Sequence, residues 1–505
     1  MSEGTTPLND YRQVRLEKVR LLRSMGIDPY PSASSRTHAA GTLASEFGRL
    51  EGGRVVVAGR VMSRREHPDF VFSDLQDQSG TVQLMLGRHN MRPTDPPRGS
   101  LGFTDARRLV DIGDIVQAEG TVTKTRRGEV SVDVEALRIL AKSLRPLPDK
   151  WNKIVDEEVL ARRRYLDMIM SPQKRERFRM VSEIQAGVRN FMRDHGFVEF
   201  NTPVLQPVYG GGRAKPFKTY LNALSNEFYL AISHELYLKR LIVAGFERVY
   251  TIGRYFRNEG MDRTHNPEFS MLETMTAFEN YEFNMDLTER LYKFLASDVL
   301  GKDTFSSRGQ TIALAGEWRR VSMVELVKSE LGLDFLRLRN VDSANDALSQ
   351  YGLPAEATVG HALVSLFEER VAATLIQPTI VYGHPVEVSP LAKATEADPR
   401  FAERFELYIN GTEQGDNWSE LNDPVELLRR LSEEQERRRA FGDDEAHPID
   451  EDFVEALEYG MPPTTGVGPG IERLAMLLTE ADSISDVSFF PLLRPKDAAT
   501  RADKQ

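Results

Sequence analysis

The segment Phe256-Arg257-Asn258-Glu259-Gly260 is the feature that most narrows what this chain can fold into. Arg257 ends an apolar, aromatic run, and a second polar cluster that ends at Phe269 follows the glycine. This pattern predicts a strand, a loop and a second strand. A guanidinium so placed can hold the α-phosphate of a nucleotide, and an aromatic ring can stack on adenine. Taken alone, an arginine beside an aromatic residue is as easily explained by a surface ion pair.

A glycine-rich run near the C-terminus, from Gly466 to Gly470, opens into an apolar helical pattern. Glycines let the backbone approach a ligand closely, and a helix N-terminus favours anions. Arg473 lies in the first turn of this predicted helix, where a cation gains nothing from the helix dipole. We therefore expect the Arg473 side chain to bind phosphate outside the helix. The run is not the dinucleotide-binding fingerprint, because no strand with a ribose-binding acid follows it.

Two glutamates, Glu406 and Glu413, flank a predicted hairpin. Residues 405–409 alternate between apolar and polar and predict a strand, and Asn410-Gly411 predicts a tight turn. The hairpin would bring the two carboxylates close together, where they repel unless a cation lies between them. Mg²⁺ on nucleotide phosphates is the natural cation. The alternative is that both are solvated strand glutamates.

Together these elements resemble motifs 2 and 3 of class II aminoacyl-tRNA synthetases. The resemblance to the lysyl-tRNA synthetase family is closer and runs from about residue 12 to about residue 496. Six segments carry it: Glu235 to Leu241, Arg257 to Gly260, His265 to Phe269, Glu387 to Ala392, Ser419 to Asp423 and Phe490 to Pro495. It implies activation of lysine with ATP, transfer of lysine to the 3′ end of tRNA(Lys), and Mg²⁺ as the cofactor. ATP, lysine and tRNA(Lys) are therefore the expected partners.

The resemblance also implies roles for the matching residues. Arg257 and Arg473 are the expected catalytic residues. The expected ATP-binding residues are Arg257, Glu259, His265, Phe269, Glu406 and Arg473, and the expected Mg²⁺ ligands are Glu406 and Glu413. The expected contacts of the amino acid are Glu235, Glu273, Asn417, Trp418 and Glu420. Activation needs no general base, because the attacking carboxylate is already ionised; it needs placement and charge neutralisation.

The chain departs from the family around the amino-acid pocket. Met275 stands where the family usually has tyrosine, and Asp416 stands where it usually has asparagine. The segment from Ala231 to His234 replaces the usual Arg-Ile-Ala-Pro. Two alternatives therefore stay open: a class II synthetase paralogue that activates a lysine analogue or another amino acid, and a non-catalytic RNA-binding relative.

Between residues 51 and 142 the pattern changes to five short predicted strands separated by turn residues. This density of strands indicates a small Greek-key barrel, and an OB-fold is the nucleic-acid-binding version of that architecture. Arg64, Phe72, Gln83 and Glu129 could stack on or hydrogen-bond to unpaired bases. The resemblance implies that this is the anticodon-binding domain. The alternative for each residue is an ordinary barrel position.

The predicted fold class is α+β, with an N-terminal OB-fold β-barrel and a class II catalytic domain built on an antiparallel sheet flanked by helices. The expected divisions are a helical extension over 1–50, the barrel over 51–142, a linker over 143–165, the catalytic domain over 166–496 with a helical insertion at about 285–375, and a tail over 497–505. A helix that begins at Ser171-Pro172, followed by a strand over 197–205 that contains Pro203, resembles motif 1. It implies a homodimer through this unit.

Composition excludes several classes of protein. The chain has no apolar run near the length of a membrane span and no signal peptide, and its lack of cysteine excludes disulfides. We expect a cytoplasmic protein without a membrane or DNA partner. The net charge of −11 argues against indiscriminate nucleic-acid binding. Residues 1–150 nevertheless carry 23 Lys and Arg against 19 Asp and Glu, which fits either a phosphate-binding N-terminal part or a chance drift of surface charge.

Overall fold

The computed structural model describes residues 8–91, 98–148, 157–212, 214–338, 340–440 and 449–493. The chain forms two compact units that divide after Asp156, inside the predicted linker. The predicted tail over 497–505 lies outside the described residues. No helix in the described ranges combines the length and the apolar character needed to cross a membrane.

The first unit is a closed barrel of five strands in the order β1-β2-β3-β5-β4. Its strands are β1 Arg54–Glu66, β2 Phe70–Gln76, β3 Thr81–Gly87, β4 Ile115–Lys124 and β5 Val130–Ala141. Its helices are α1 Leu8–Ser24, α2 Ala40–Ser45, α3 Phe47–Leu50 and α4 Phe103–Leu109. Strand β1 is irregular between Val61 and Ser63, which lets one long strand bend and pair with both β2 and β4. The five predicted strands are confirmed, and α1 buries Leu22 against the barrel core.

The second unit contains the remaining helices and strands. Its helices are α5 Glu157–Arg162, α6 Arg164–Met170, α7 Pro172–Asp194, α8 Glu235–Val243, α9 Tyr281–Phe294, α10 Met323–Leu331, α11 Val341–Gln350, α12 Val359–Leu366, α13 Pro424–Ala440, α14 Glu451–Glu458, α15 Ile471–Leu478 and α16 Ile484–Val487. Short π-helical turns lie at Leu295–Val299 and Phe367–Val371, and 3₁₀ turns lie at Ala372–Thr374 and Val386–Val388.

The strands of this unit are β6 Val198–Glu199, β7 Leu205–Gln206, β8 Lys218–Leu221, β9 Asn226–Leu230, β10 Arg248–Phe256, β11 Glu268–Ala277, β12 Thr304–Ser307, β13 Gln310–Ala313, β14 Arg319–Ser322, β15 Thr379–Tyr382, β16 Arg404–Ile409, β17 Thr412–Ser419 and β18 Thr464–Pro469. Eight of them form one sheet in the order β14-β15-β16-β17-β18-β11-β10-β6. Its inner pairs are antiparallel, and only the two outermost pairs are parallel. The predicted α+β class with a largely antiparallel sheet is confirmed.

Helices α7, α9 and α15 cover one face of this sheet, whereas α8, α10 and α12 cover only part of the opposite face, which we term the open face. Leu272 and Leu407 pack with Val188 of α7, Leu291 of α9 and Leu474 of α15 in one apolar core. Because successive strand side chains point to opposite faces, the neighbours of these core residues in sequence project to the open face. The cavity described below lies on that face.

Local signals explain several element boundaries. The Ser171 side chain accepts a hydrogen bond from the backbone N–H of Lys174, and Pro172 begins α7, as predicted. The β16–β17 hairpin turns at Asn410 and Gly411, whose φ angles are 50° and 66°. A two-residue turn of this kind requires positive φ at both positions, which Asn and Gly tolerate best.

Two predictions about secondary structure are wrong. The segment 197–205 is not one strand: β6 and β7 are separate and join different sheets. Pro203 lies between them, because proline has no N–H to donate to a strand ladder. The insertion at about 285–375 is not wholly helical, since it also contains β12, β13 and β14. Strand β14 pairs with β15 and forms the edge of the main sheet.

Candidate active site

A cavity of about 560 Å³ lies over the open face of the sheet in the second unit. It brings together the residues predicted to bind ATP and metal, namely Arg257, Glu259, His265, Phe269, Glu406, Glu413 and Arg473. It also contains Glu235, Glu273, Trp418 and Glu420 from the predicted amino-acid contacts. Residues more than 200 positions apart in the sequence therefore line one site.

Arg257 is placed by the loop that joins β10 to β11. Its backbone N–H donates to the carbonyl of Pro267 at 2.9 Å, and its guanidinium carbon lies 5.3 Å from the centre of the Phe269 ring. Phe269 in turn stacks beside Tyr255, with ring centres 5.7 Å apart. The Arg257 Nε is buried and has no hydrogen-bond partner among the described residues. A half-buried guanidinium that lies near an aromatic ring and has an unpaired Nε donor is suited to binding an anion.

Arg473 begins a chain of hydrogen bonds at the other side of the cavity. Its Nη1 donates to the carbonyl of Glu413 at 2.9 Å and to the Glu413 Oε2 at 3.1 Å. Its Nη2 lies 2.9 Å from His265 Nε2, which must accept, because a guanidinium only donates. His265 Nδ1 then carries the proton and donates to Asp262 at 2.8 Å. The Arg473 side chain therefore extends away from its own helix, towards β17 and the loop between β10 and β11.

Glu406 is held by three partners. Arg404 Nη2 and the Tyr408 hydroxyl each donate to it at 2.7 Å, and His384 Nε2 lies 3.3 Å away. Burial alone would raise the pKa of Glu406, but His384 and Arg404 outweigh it and hold that pKa well below its ordinary value. Glu406 is therefore a fixed negative charge.

The pKa of Glu413 is shifted in the opposite direction, upwards. Burial raises its pKa, and the nearby Glu406 carboxylate adds to that increase against the effect of Arg473.

The register of the β16–β17 hairpin differs from the prediction that the turn alone brings Glu406 and Glu413 together. Asp416 lies directly opposite Glu406, whereas Glu413 lies opposite Tyr408, because the pairing shifts between Leu407 and Tyr408. An irregularity of this kind cannot be inferred from alternation alone.

An ammonium group occupies the carboxylate cluster at the far end of the cavity. Lys239 Nζ contacts Glu235 Oε1 and lies 2.6 Å from Glu420 Oε2. The Trp418 Nε1 also donates to Glu420 Oε2, at 2.9 Å. The nearby Glu273 accepts from the Ser233 hydroxyl, and burial together with Glu235 raises the pKa of Glu273 to about 7. This end of the site is therefore built to bind a cationic group.

Asn417 is the one predicted amino-acid contact that the structure does not bring to the cavity. Strand alternation sends Asp416 and Trp418 to the open face and Asn417 to the opposite face. The Asn417 Nδ2 donates to the carbonyl of Gly466, and the residue is fully buried. The prediction that the Asn417 side chain contacts the amino acid is therefore wrong in this geometry.

The barrel of the first unit carries the second predicted site. The strand register places Phe72 beside Arg65 and Met85, and places Gln83 beside Ser131 and Asp74, in the rows that alternate with the barrel core. Gln83 and Ser131 are nevertheless buried. The Gln83 Nε2 donates to Glu129 at 3.0 Å. These contacts put Phe72, Gln83 and Glu129 on one outer side of the barrel.

Arg64 does not belong to this outer surface. Its cross-strand partner is the buried Ser73, so Arg64 lies in an inward-facing row. Its guanidinium donates to the carbonyls of Val110 and Arg107, and only 12% of its side chain is exposed. The prediction that Arg64 contacts bases is therefore wrong in this geometry, and its neighbour Arg65 is the outward-facing arginine.

Comparison with known proteins bears on both units. Residues 156–494 match the family described as tRNA synthetases class II (D, K and N), and residues 55–140 match the OB-fold nucleic acid binding domain. The chain is 47% identical to a lysine–tRNA ligase of Thermosynechococcus vestitus, over 97% of each chain. It is 45% identical to that of Latilactobacillus sakei over 97% of each chain, and 46% identical to that of Trichormus variabilis over 96% of this chain and 88% of that protein.

The chain belongs to the class II tRNA synthetase family. The resemblance predicted from the sequence is thereby confirmed, as is the combination of an OB-fold unit with a class II catalytic unit.

The donor set of this synthetase fits Mg²⁺ bound together with a nucleotide. Among the residues that the structure describes, no group of three or more His, Cys, Asp or Glu side chains forms a metal site by itself. Mg²⁺ prefers oxygen ligands and commonly takes one or two carboxylates, with phosphates and water completing the octahedron. Glu406 and Glu413 line the same cavity and supply such carboxylates.

Three side chains of the synthetase site were not predicted from the sequence. Lys239 lies four residues after Glu235 on α8, a spacing that favours an ion pair on a helix. Arg404 lies two residues before Glu406, on the same face of β16. His384 reaches Glu406 from a different element and left no sequence signal.

Proposed function

We propose that this protein is a lysine–tRNA ligase, which activates lysine with ATP and transfers it to the 3′ end of tRNA(Lys). One observation carries the proposal. Glu235 and Glu420, which hold the ammonium of Lys239, line one end of a cavity whose other end contains Arg257 and Arg473. The names of the similar proteins support the same activity.

The chemistry follows from the two ends of the cavity. The lysine carboxylate attacks the α-phosphorus of ATP, a carboxyl–phosphate bond forms, and the bond to pyrophosphate breaks. Arg257 neutralises charge on the carboxylate and the α-phosphate as they approach, and Arg473 holds the γ-phosphate end. A ribose hydroxyl of the tRNA then attacks the carbonyl carbon of the adenylate and releases AMP. Glu259, His265 and Phe269 complete the ATP-binding side.

Mg²⁺ would be held by Glu406 and Glu413 and, when bound, would neutralise charge on the phosphates. Glu406 is already ionised by its cationic neighbours. Burial raises the pKa of Glu413, and the nearby Glu406 and Asp416 carboxylates raise it further; a shared divalent cation would offset that repulsion.

The tRNA partner is assigned to the first unit. We assign the barrel as the anticodon-binding domain, with Phe72 as the base-stacking residue.

We assign a homodimer interface to the region around Pro203. The strand β6 lies at the sheet edge, and Val198 and Leu205 expose 47% and 45% of their surfaces in the single chain. A second copy would cover both features. We place the protein in the cytoplasm, where tRNA is charged.

One assay tests the function. Amino-acid-dependent exchange of pyrophosphate into ATP is measured with the standard amino acids, ornithine and β-lysine. Exchange with lysine alone supports the proposal. Exchange with another amino acid instead identifies a paralogue with a different substrate. A folded protein that exchanges with none of them is a non-catalytic relative.

A further inference from the structure

Lys239 forms an unusual buried ion triplet. Its Nζ lies between Glu235 and Glu420, and all three residues are at most 4% exposed. The ring of Phe453 lies 5.8 Å from the same Nζ and excludes water from that side. An ammonium that is removed from water in this way is stable only with carboxylate partners.

The hydrogen bonds of Glu420 are unevenly divided between its two oxygens. Oε2 accepts from both Lys239 and Trp418, whereas Oε1 is buried and has no hydrogen-bond partner among the described residues. A charged oxygen left unpaired in a buried site is costly. Glu420 lines the cavity, so a donor on a bound molecule could reach the side of the carboxylate that the protein leaves unpaired.

Two of the other charges near the triplet have an opposite charge as partner. Asp416 on β17 is bound to Arg404 of β16, and Arg240 of α8 is bound to Asp450 at 2.9 Å. Glu273 on β11 has neutral donors only, the Ser233 hydroxyl and the backbone N–H of His234. When ionised, Glu235 and Glu420 carry two negative charges and Lys239 carries one positive charge. The triplet itself therefore keeps one net negative charge, which a further ammonium can neutralise.

We propose that Lys239 is a positioning residue for substrate specificity: it holds one oxygen of Glu235 and one of Glu420, so that Glu420 Oε1 is presented to the side-chain ammonium of the amino acid. This inference rests on the proposed function and deepens it. Lys239 does not touch the reacting atoms. It sets the charge and orientation of the acids, so that the pocket accepts a single cationic group and not a neutral one.

The test compares Lys239→Met and Lys239→Arg with the unaltered protein in lysine-dependent pyrophosphate exchange. We expect Lys239→Met to raise the KM for lysine by roughly tenfold or more, because two buried acids lose their shared cation. The KM for ATP should change by less than about twofold, because ATP binds at the other end of the cavity. Lys239→Arg keeps the positive charge and should recover part of the loss.

The pH profile separates positioning from a general loss of structure. Without the Lys239 charge, the pKa values of Glu235 and Glu420 rise further. The pH range over which the KM for lysine falls should therefore move to higher pH. Lys293→Met is the matched control. Lys293 on α9 also pairs with a glutamate four residues earlier, at 2.6 Å, but its partner Glu289 does not line the cavity, whereas the partners of Lys239 do. A Lys239→Met protein with the KM and pH profile of Lys293→Met would overturn the inference.

The outcomes remain distinguishable from failure of the proposed function. The unaltered protein is assayed first, and absence of lysine-dependent exchange overturns the function and this inference together. If exchange is present and the variants do not fold, a crystal structure of the unaltered protein with lysine decides. We expect Lys239 to remain on Glu420 Oε2 while the lysine ammonium binds Oε1. Displacement of Lys239, or an ammonium bound elsewhere, overturns the inference alone.

Discussion

Arg404 holds Asp416 through two parallel hydrogen bonds, from Nε to Oδ1 and from Nη2 to Oδ2, each 2.8 Å long. This fork geometry is the strongest arrangement between an arginine and a carboxylate. The same Arg404 also pairs with Glu406, so one guanidinium is shared by two carboxylates. The aspartate at the usual asparagine position therefore has a cationic partner within the sheet, and the ionisable groups at the lysine end are Glu235, Glu273, Glu420 and Lys239.

Replacing Arg257 by alanine should abolish lysine-dependent pyrophosphate exchange. The change removes the guanidinium proposed to neutralise the α-phosphate, which corresponds to about 2–5 kcal/mol of transition-state stabilisation. Binding of tRNA should persist. The measurement is kcat/KM in exchange, together with tRNA binding. Arg254→Ala is the control, because Arg254 lies on β10, just before the loop that carries Arg257, and outside the cavity. Near wild-type exchange by Arg257→Ala would contradict the assignment.

Lysine binding should strengthen as the pH rises towards about 8. Burial raises the pKa of Glu420 to about 8, and Glu235 adds to that increase against the effect of Lys239. The free site therefore holds a proton at neutral pH, and binding of an ammonium releases it. The KM for lysine should fall between about pH 6.5 and pH 8, and calorimetry in two buffers should detect proton release. A KM that is independent of pH in this range would argue against Glu420 as the ammonium ligand.

The same raised pKa has a consequence for folding. The unfolded chain has an ordinary glutamate pKa, so the folded, ligand-free protein binds more protons between about pH 4.5 and pH 8. The contribution of Glu420 to stability is therefore largest below this window and is lost as the pH rises through it. Thermal unfolding with and without lysine should show the largest stabilisation by lysine at the alkaline end.

Phe72→Ala should weaken tRNA binding, because base stacking on an aromatic ring contributes about 1–3 kcal/mol per base. Pyrophosphate exchange needs no tRNA and provides the internal control.

Arg64→Ala should act differently. It removes hydrogen bonds to Val110 and Arg107 and should lower the melting temperature of the barrel. If Arg64→Ala weakened tRNA binding without loss of stability, the assignment of Arg64 to the barrel interior would be wrong.

Val198→Asp should shift the protein from dimer to monomer, because a carboxylate at the exposed sheet edge disfavours burial against a second copy. Light scattering coupled to size exclusion measures the mass. Val425→Asp is the matched control, since Val425 is 78% exposed at the start of α13 and belongs to neither β6 nor β7. A Val198→Asp protein that remains dimeric would place the interface elsewhere.

Glu413→Gln should raise the Mg²⁺ concentration needed for half-maximal exchange, since one of two proposed carboxylate ligands is lost. The affinity for lysine at saturating Mg²⁺ should change less. Glu426→Gln on the exposed face of α13 controls for the loss of a negative charge. Unchanged dependence on Mg²⁺ would remove Glu413 from the metal site.

Local patterns in the chain were sufficient for much of the fold. Period-two alternation and turn residues predicted all five barrel strands, and the Ser171-Pro172 pair predicted where α7 begins. The segments around Arg257 and Arg473 each have a composition suited to phosphate, and their resemblance to motifs 2 and 3 of class II synthetases predicted that they share one site although they lie far apart. Such features depend on neighbouring residues in the sequence and can be identified there.

What the sequence by itself determined, then, is which elements form and which residue types a phosphate and an ammonium require. Only the tertiary structure decided how those residues meet. Strand register turned Arg64 and Asn417 away from the surfaces predicted for them, and a pairing shift put Asp416 opposite Glu406. Packing of α8 against β10 and β11 placed Lys239 on Glu420, which follows β17. A one-residue change in register reverses the direction of a side chain, and long-range packing, which no local pattern encodes, fixes that register.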